Sequence, residues 1–349
     1  MKMSRRSKRR LLTWLVSVLA GAIVGEVYFR VILMPDLPQL RAWLPGARAG
    51  ALIAGSTVGL ELFLINGSLG AAIRRLPFWQ FLSLRVAAHT GLAVAMLAVN
   101  AWIGVWLGES LANSMLETRQ VLRNAVFSLA MFTIGLFIAQ MRNLIGGRAL
   151  VNVLLGRYYR PRQEERVFLL LDVKGSTPLS VRLGDRQFHE LISAVFFDVD
   201  APITERSGEI YEYVGDAVIA SWYLGKGGRE QQAIEAAFAA RDAVHLRSEW
   251  YQKKFGEVPG LRAVLHRGSV VAGECGDSKR QIVYRGETLN TLARLEALAK
   301  ALGKDVVASD LGDGFVLPPG IRSEYLGEHD LKGLPAPVRI VSLVAADEP

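Results

Sequence analysis

Two aspartates stand where carboxylates could manage phosphate chemistry. Asp172 ends an apolar run, in Leu171-Asp172-Val173-Lys174-Gly175-Ser176-Thr177. Asp216 occupies a Gly-Asp turn between two stretches of strand character, 209–214 and 217–223. If the first run is a strand and the second pair a hairpin, the two are neighbours in one sheet and both carboxylates converge on one end of it. Converging carboxylates beside a glycine-containing turn at a helix N-terminus suit Mg²⁺ and a polyphosphate, because carboxylates bind hard cations and helix-terminal amides bind phosphate oxygens. Taken singly, each residue also has a plainer reading, as a helix N-cap after a strand or an ordinary turn residue. A third element is Gly286-Glu287-Thr288-Leu289-Asn290-Thr291-Leu292-Ala293-Arg294-Leu295. Asn290 and Arg294, four apart, share one helix face. An amide and a guanidinium projecting together beside a polyphosphate fit stabilisation of transition-state charge; a solvated face is the alternative.

The elements around these residues alternate. Apolar residues at 167–171 make a strand, followed by a helix at about 178–201, the hairpin, and a helix at about 229–251. Strands are expected at about 260–266, 269–275 and 281–285, then a helix at 287–302 and a strand at 305–308. Two further strands, near 322–326 and 338–344, complete the pattern. Strand-helix-hairpin-helix-strand is the split βαβ, or ferredoxin-like, arrangement of the α+β class, with helices on one face of a sheet.

The first part of the chain is of another kind. Across 349 residues, 51% are hydrophobic and 21% charged, and the mean hydropathy is +0.24. Apolar stretches run at about 11–33, 50–71, 79–106 and 124–141. Each approaches or exceeds the ~20 residues that span a bilayer as a helix. The net charge of +8 divides unevenly. Residues 1–163 carry 19 Lys and Arg against 5 Asp and Glu; residues 164–349 carry 22 against 28. A duplex-binding protein is basic where it folds, so nucleic acid is excluded as a partner. Cations at 2–10, at Arg74 and Arg75, and from Arg142 to Arg162 place the N-terminus and the second half in the cytoplasm by the positive-inside rule. Ala20-Gly21-Ala22 resembles a signal-peptide cleavage site, but Arg30 and the later spans favour an uncleaved helix. Within the spans, Arg85 is expected to snorkel to the surface, with His89 hydrogen-bonded one turn deeper. Glu61, mid-span, is expected to pair with a neighbouring helix or line a ligand site. The expected organisation is a membrane anchor of about four helices at 1–141, a juxtamembrane helix or linker at 142–163, and a cytoplasmic domain at 164–349.

Other chemistries find little support. A single cysteine, Cys275, excludes a disulfide framework. His189, His245, His266 and His329 are scattered, and no Gly-x-x-x-x-Gly-Lys-Ser/Thr loop is present.

The three motifs, in this order and spacing, resemble the catalytic domain of class III nucleotide cyclases, and Leu331-Lys332-Gly333 with Pro337-Val338 resembles that family's closing segment. The resemblance covers about 165–345. It implies that Asp172 and Asp216, with Val173, hold two divalent cations, Mg²⁺ or Mn²⁺. It implies that Lys174, Gly175, Ser176 and Thr177 cradle the phosphates, with Lys332 on the polyphosphate. Asn290 would orient the ribose and Arg294 would steady charge on the α-phosphate. The family works as a head-to-tail homodimer in which the aspartates and the Asn-Arg pair come from different protomers. The base is set by positions that here are Glu212 and Val283. Glu212 resembles guanylate cyclases, yet Val283 offers no second guanine contact, so the expectation is ATP converted to cyclic AMP and pyrophosphate, with GTP as the alternative. A cyclase-like receptor output of weak activity is a further alternative. Diguanylate cyclases would show a Gly-Gly-Asp/Glu-Glu-Phe hairpin; here it reads Tyr213-Val214-Gly215-Asp216-Ala217. The expected setting is a bacterial inner membrane, with the lipid bilayer and an unknown membrane or periplasmic ligand as further partners.

Overall fold

A computed structural model describes residues 5–33, 43–65, 73, 76–107, 118–145, 156, 158–224, 229–277, 281–309, 317–331, 334 and 336–346. The chain divides into two compact units, Met1–Val151 and Asn152–Pro349.

The first unit contains helices α1 (Arg5–Tyr28), α2 (Trp43–Gly59), α3 (Phe78–Trp106) and α4 (Thr118–Ile145). Short π-helical turns, Phe29–Leu33 and Leu60–Ile65, extend α1 and α2. Three segments are long and apolar enough to cross a membrane: Leu11–Val31, Pro45–Ile65 and Phe78–Trp106. The apolar part of α4 described at side-chain level, Leu122–Ile138, is shorter. Helices α1 and α2 touch through Gly21 and Gly25 on one and Gly46 and Gly50 on the other. A methyl group on Gly25 would lie 2.5 Å from the Gly46 carbonyl oxygen, and one on Gly50 would overlap the Gly21 carbonyl. Small residues four apart let apolar helices approach to backbone contact.

Several ionisable residues in these helices are paired. Glu26 accepts from Arg30 at 2.7 Å and from the Ala47 amide at 3.0 Å. Glu61 meets Arg85 at 2.5 Å, and His89 bonds the Arg85 carbonyl at 2.7 Å. The snorkelling expected of Arg85 is therefore corrected: it is buried and turned to Glu61, because a carboxylate on a neighbouring helix is nearer than water. A cavity of about 510 Å³ lies among the four helices, its wall mainly apolar with polar groups from Ser17, Tyr28, Thr57, Asn100, Asn124 and Ser128.

The second unit is built on one eight-stranded sheet. Its strands are β1 (Arg162–Val173), β2 (Glu209–Val214), β3 (Ala217–Tyr223), β4 (Leu261–Cys275), β5 (Gln281–Arg285), β6 (Val306–Ser309), β7 (Ile321–His329) and β8 (Val338–Ala345). The order is β2-β3-β1-β4-β6-β8-β7, with β5 paired to β4 outside this path. All pairings are antiparallel except β4 with β6. The segment β2-β3-β1-β4 is the ferredoxin-like arrangement.

The helices are α5 (Ser176–Glu205), α6 (Glu230–His245), α7 (Ser248–Phe255) and α8 (Glu287–Ala301). They do not share one face, as the sequence pattern suggests. Val167, Leu169 and Leu171 face a core formed with α5, α6 and α7, whereas Phe168 and Leu170 face a second core formed with α8. Two covered faces explain why β1 reads as an unbroken apolar run rather than an alternating one.

Three boundaries also differ from expectation. Strand β1 starts at Arg162, since the polar stretch Arg162–Arg166 pairs with Gly268–Ala272 without contributing an apolar signal. The two strands expected around Gly268 are one strand, β4. Gly268 leaves room for Thr288 rather than breaking the strand: a methyl there would lie 2.5 Å from Thr288 Oγ1. The helix expected at 229–251 is two, divided at Leu246 and Arg247, and this places Tyr251 in the core with its hydroxyl on Asp198 at 2.7 Å.

Gly208, just before β2, is pressed against the core. A methyl there would lie 2.5 Å from Trp222 Cζ2 and 2.7 Å from Ile203 Cγ2, both fully buried side chains. Replacing Gly208 by Ala is expected to destabilise the second unit by about 1–3 kcal/mol through overpacking, read as a lowered thermal midpoint of the purified chain.

Candidate active site

The register of β1 against β3 brings the two aspartates together. Asp172 is opposite Ala217, the residue after Asp216, and the β2–β3 turn is closed by Gly215 at φ 60°. A residue with a Cβ is strained in that left-handed region, so glycine permits the turn that presents Asp216. On the other side of β1, Asp172 is opposite Arg262 of β4, whose guanidinium lies 3.7 Å from the Asp172 carboxylate. Arg262 also reaches Glu296 of α8 at 3.9 Å.

The Asp216 carboxylate lies close enough to the Asp172 carboxyl to disfavour its ionisation. The Asp172 carboxyl is pushed up to about 7. Burial is the largest cause, followed by the charge of Asp216, the charge of Glu296 and the bond with Asp216; Arg262 opposes these without cancelling them. A pair of acids short of positive charge is the electrostatic condition a divalent cation relieves.

The glycine turn follows directly. Gly175 takes φ 64° and precedes α5, which Ser176 and Thr177 open. First-turn amides of a helix have no acceptor within it, and there they can meet an anion. Lys174 is engaged elsewhere. Its amide donates to the Gly260 carbonyl at 2.9 Å, and its ammonium pairs with Asp305, which Arg241 also meets at 3.1 Å. Val173 is buried at the end of β1 beside the aspartate.

Asn290 and Arg294 sit on the exposed side of α8, joined by Glu287. Asn290 donates to it at 3.2 Å and Arg294 at 2.5 Å. Hydrogen bonds from Asn290 and Arg294 hold the Glu287 carboxyl below the usual carboxylate range. Glu296, which reaches toward Arg262 and Asp172, is two residues from Arg294 and so about 200° around the helix. Within one chain the Asn-Arg pair and the aspartate pair therefore look in different directions.

Glu212 is exposed on the edge strand β2, beyond a register shift at Tyr211. Val283 lies on β5 opposite Gly273. The residues beside them meet: the Tyr284 amide donates to the Tyr211 hydroxyl at 3.3 Å, and the two rings lie 4.7 Å apart. Lys332 and much of the 142–163 linker lie outside the described residues.

Sequence reasoning missed Arg262 and Glu296. Arg262 did carry a signal, a lone cation inside the apolar strand Leu261-Arg262-Ala263-Val264-Leu265. Glu296 carried none, since a glutamate on a helix is ordinary.

The raised Asp172 carboxyl has a consequence for stability. Between its unfolded value near 3.8 and about 7, the folded chain binds the extra proton, so stability falls as pH rises through 7. In the absence of divalent cations, wild-type melting temperatures are expected to decline from pH 6 to pH 8. Asp216→Asn, which removes the neighbouring charge, is expected to flatten that decline; an equal slope in both proteins would contradict the effect of Asp216 on Asp172.

Residues 159–336 match the family model described as adenylate and guanylate cyclase catalytic domain. The chain is 37% identical over 308 residues to adenylate cyclase 2 of Rhizobium meliloti (strain 1021), covering 86% of this chain and 84% of that one. It is 27% identical over 180 residues to retinal guanylyl cyclase 1 of Homo sapiens, covering 51% of this chain but only 16% of that much longer protein. The solved structure of a bacterial light-regulated adenylyl cyclase superimposes with a TM-score of 0.54 at 19% identity, covering 66% of this chain and 67% of that one, a likeness of fold. With the aspartate pair, the glycine turn and the Asn-Arg helix in place on that sheet, the chain belongs to the class III adenylate and guanylate cyclase family.

Proposed function

We propose that this cyclase is an adenylate cyclase held in a membrane by its first unit, converting ATP to cyclic AMP and pyrophosphate in sites shared by two copies of the chain. The observation that carries the reading is the Asp172–Asp216 pair, two carboxylates brought into contact with too little positive charge around them.

The donor set fits Mg²⁺ or Mn²⁺. Among the described residues no cluster of three or more His, Cys, Asp or Glu forms a closed metal cage. Magnesium needs none, since it binds through one or two carboxylates, water and substrate phosphates. Asp172, Asp216 and the Val173 carbonyl would hold two ions. When bound, these supply a lowered pKa for the ribose 3′-hydroxyl and neutralise charge on the triphosphate.

The chain's own residues do the rest. The Gly175–Thr177 turn offers amides to the phosphates, and Lys332 adds a cation. Arg262 is close enough to Asp172 to exchange that partner for a phosphate oxygen once the aspartate is occupied. Asn290 and Arg294 leave Glu287 to meet the ribose and the α-phosphate. Their direction on α8, away from Glu296 and Asp172, supports a site completed by a second chain. In that arrangement the 3′-oxygen attacks the α-phosphorus in line, the bond to the β-phosphate oxygen breaks, and pyrophosphate leaves.

The choice of ATP rests on the adenylate cyclase relative that matches most of the chain, and on Val283, which has no hydrogen-bonding group for guanine. Glu212 favours the second reading, GTP, because a carboxylate can accept from guanine N1 and N2. The three long apolar helices and the cationic flanks support a multi-pass anchor in a bacterial inner membrane, with the N-terminus and second unit cytoplasmic.

Membranes containing the wild-type chain are expected to form cyclic AMP faster than cyclic GMP; the reverse would transfer the assignment to guanylate cyclase, and absence of both would leave a receptor output without turnover. Asp216→Ala is expected to lose at least about 99% of activity, as removal of a metal ligand does. Arg294→Ala is expected to lower kcat more than it raises KM, because its interaction matures in the transition state. Mixing the two variants tests the shared site. Heterodimers keep one intact site, so activity is expected to return to a sizeable fraction of wild type, and no return despite verified pairing would exclude the division between chains.

A further inference from the structure

The second unit contains a buried ionic network that the chemistry above does not use. Arg166 and Glu164, both on β1 and both nearly inaccessible, are bonded at 2.9 Å. The Arg166 guanidinium also donates to Ser221 of β3 at 2.9 Å and lies 3.7 Å from Glu209 of β2. Its Cζ sits over the Tyr284 ring, 4.5 Å from the centroid. The other oxygen of Glu164 accepts from the Tyr158 hydroxyl at 3.0 Å. Tyr158 is itself buried in the core beneath α8, and its carbonyl accepts from the Glu274 amide of β4 at 3.0 Å.

Each end of this chain of contacts has a meaning. Tyr158 stands near the beginning of the second unit, which starts at Asn152, and four residues before β1. At the far end, Tyr284 touches Tyr211 by a hydrogen bond and by ring contact. Tyr284 is next to Val283, and Tyr211 is next to Glu212. Strand β5 leads within two residues into α8, which carries Asn290 and Arg294. Every residue assigned to the base and ribose therefore depends on the same two rings or on the helix packed beside them. The aspartate pair lies at the other end of β1.

A buried arginine is costly unless fully paired, and an apolar residue of like volume often serves stability equally well. Its bonds to four strands fix a geometry. We propose that Tyr158, Glu164 and Arg166 are positioning residues for the base- and ribose-facing half of the active site, and that through them the segment entering the second unit sets the placement of β5 and α8. This rests on the assignment of Val283, Glu212, Asn290 and Arg294 made above. None of the three touches the nucleotide.

Tyr158→Phe keeps the ring in the core and deletes only the bond to Glu164; Arg166→Lys keeps the charge and loses the guanidinium over Tyr284. In the full-length chain both are expected to lower kcat about tenfold, the worth of one buried bond to a charged group, and to narrow the ratio of ATP to GTP turnover. The double variant is expected to narrow it no more than the stronger single, since both break one chain. Amide hydrogen exchange is expected to quicken at 281–295 and to stay unchanged in α5 and α6 on the opposite face. A merely structural role would speed exchange on both faces and leave the nucleotide ratio unaltered, and either that pattern or unchanged exchange at 281–295 would overturn the proposal. Should the wild-type chain turn over neither nucleotide, the exchange pattern alone still decides whether this linkage exists, separately from the assignment of activity.

Discussion

One electrostatic problem organises the second unit: two carboxylates are brought together with too little positive charge beside them. The β1–β3 register places Asp172 next to the turn that carries Asp216, and neither can withdraw without breaking that pairing. Coulomb repulsion between close, partly buried charges exceeds thermal energy, so one acid is protonated or both must find a cation. Arg262 is the nearest positive group, but it is also held by Glu296 and compensates only in part. Folding thus supplies an unfavourable contact that binding can relieve. This use of local frustration is expected at a functional site and nowhere else in a well-packed sheet.

The same logic explains the division of the helices. The three on one face, α5 to α7, pack over Val167, Leu169 and Leu171 and support the strand that carries Asp172. Helix α8, alone on the other face, anchors by Leu292 and Leu295 and offers Asn290 and Arg294 outward. One face serves the aspartate pair and the other serves the Asn-Arg pair. A helix buries only one stripe, so the groups opposite that stripe point outward, where a second molecule can reach them.

How much of this was legible in the sequence depended on which interactions were local. The hairpin with its Gly-Asp turn, the strand ending in Asp172 and the helix carrying Asn290 and Arg294 were readable because each signal lies within about ten residues. Arg262 and Glu296 join the site only through pairing of β4 with β1 and packing of α8, contacts that no local pattern encodes. Arg162 to Arg166 did not read as strand because a polar stretch carries no apolar signal, although β4 pairs with it throughout. The second covered face was hidden too: an unbroken apolar strand says that both faces are dry without saying which helix dries each. Lys174 was expected to offer its backbone with its neighbours in the phosphate turn; what no local pattern showed is that its amide donates to Gly260 and its ammonium to Asp305, both far along the chain.

If the first unit is held in a membrane as proposed, the physics there runs the other way, because water is not there to solvate what remains unpaired. Apolar lining gives helices little reason to associate in lipid, and contact has to come from close packing and from polar pairs. Gly21 and Gly25 against Gly46 and Gly50 provide the first; Glu61 with Arg85, and Arg48 with Asn100 at 2.6 Å, provide the second. Both charge pairs that involve α1 or α2 acids fall at π-helical turns, where the extra residue per turn turns a side chain out of the regular stripe. A bundle fastened at few points by strong, directional contacts has fewer compatible arrangements than one held by greasy surfaces alone.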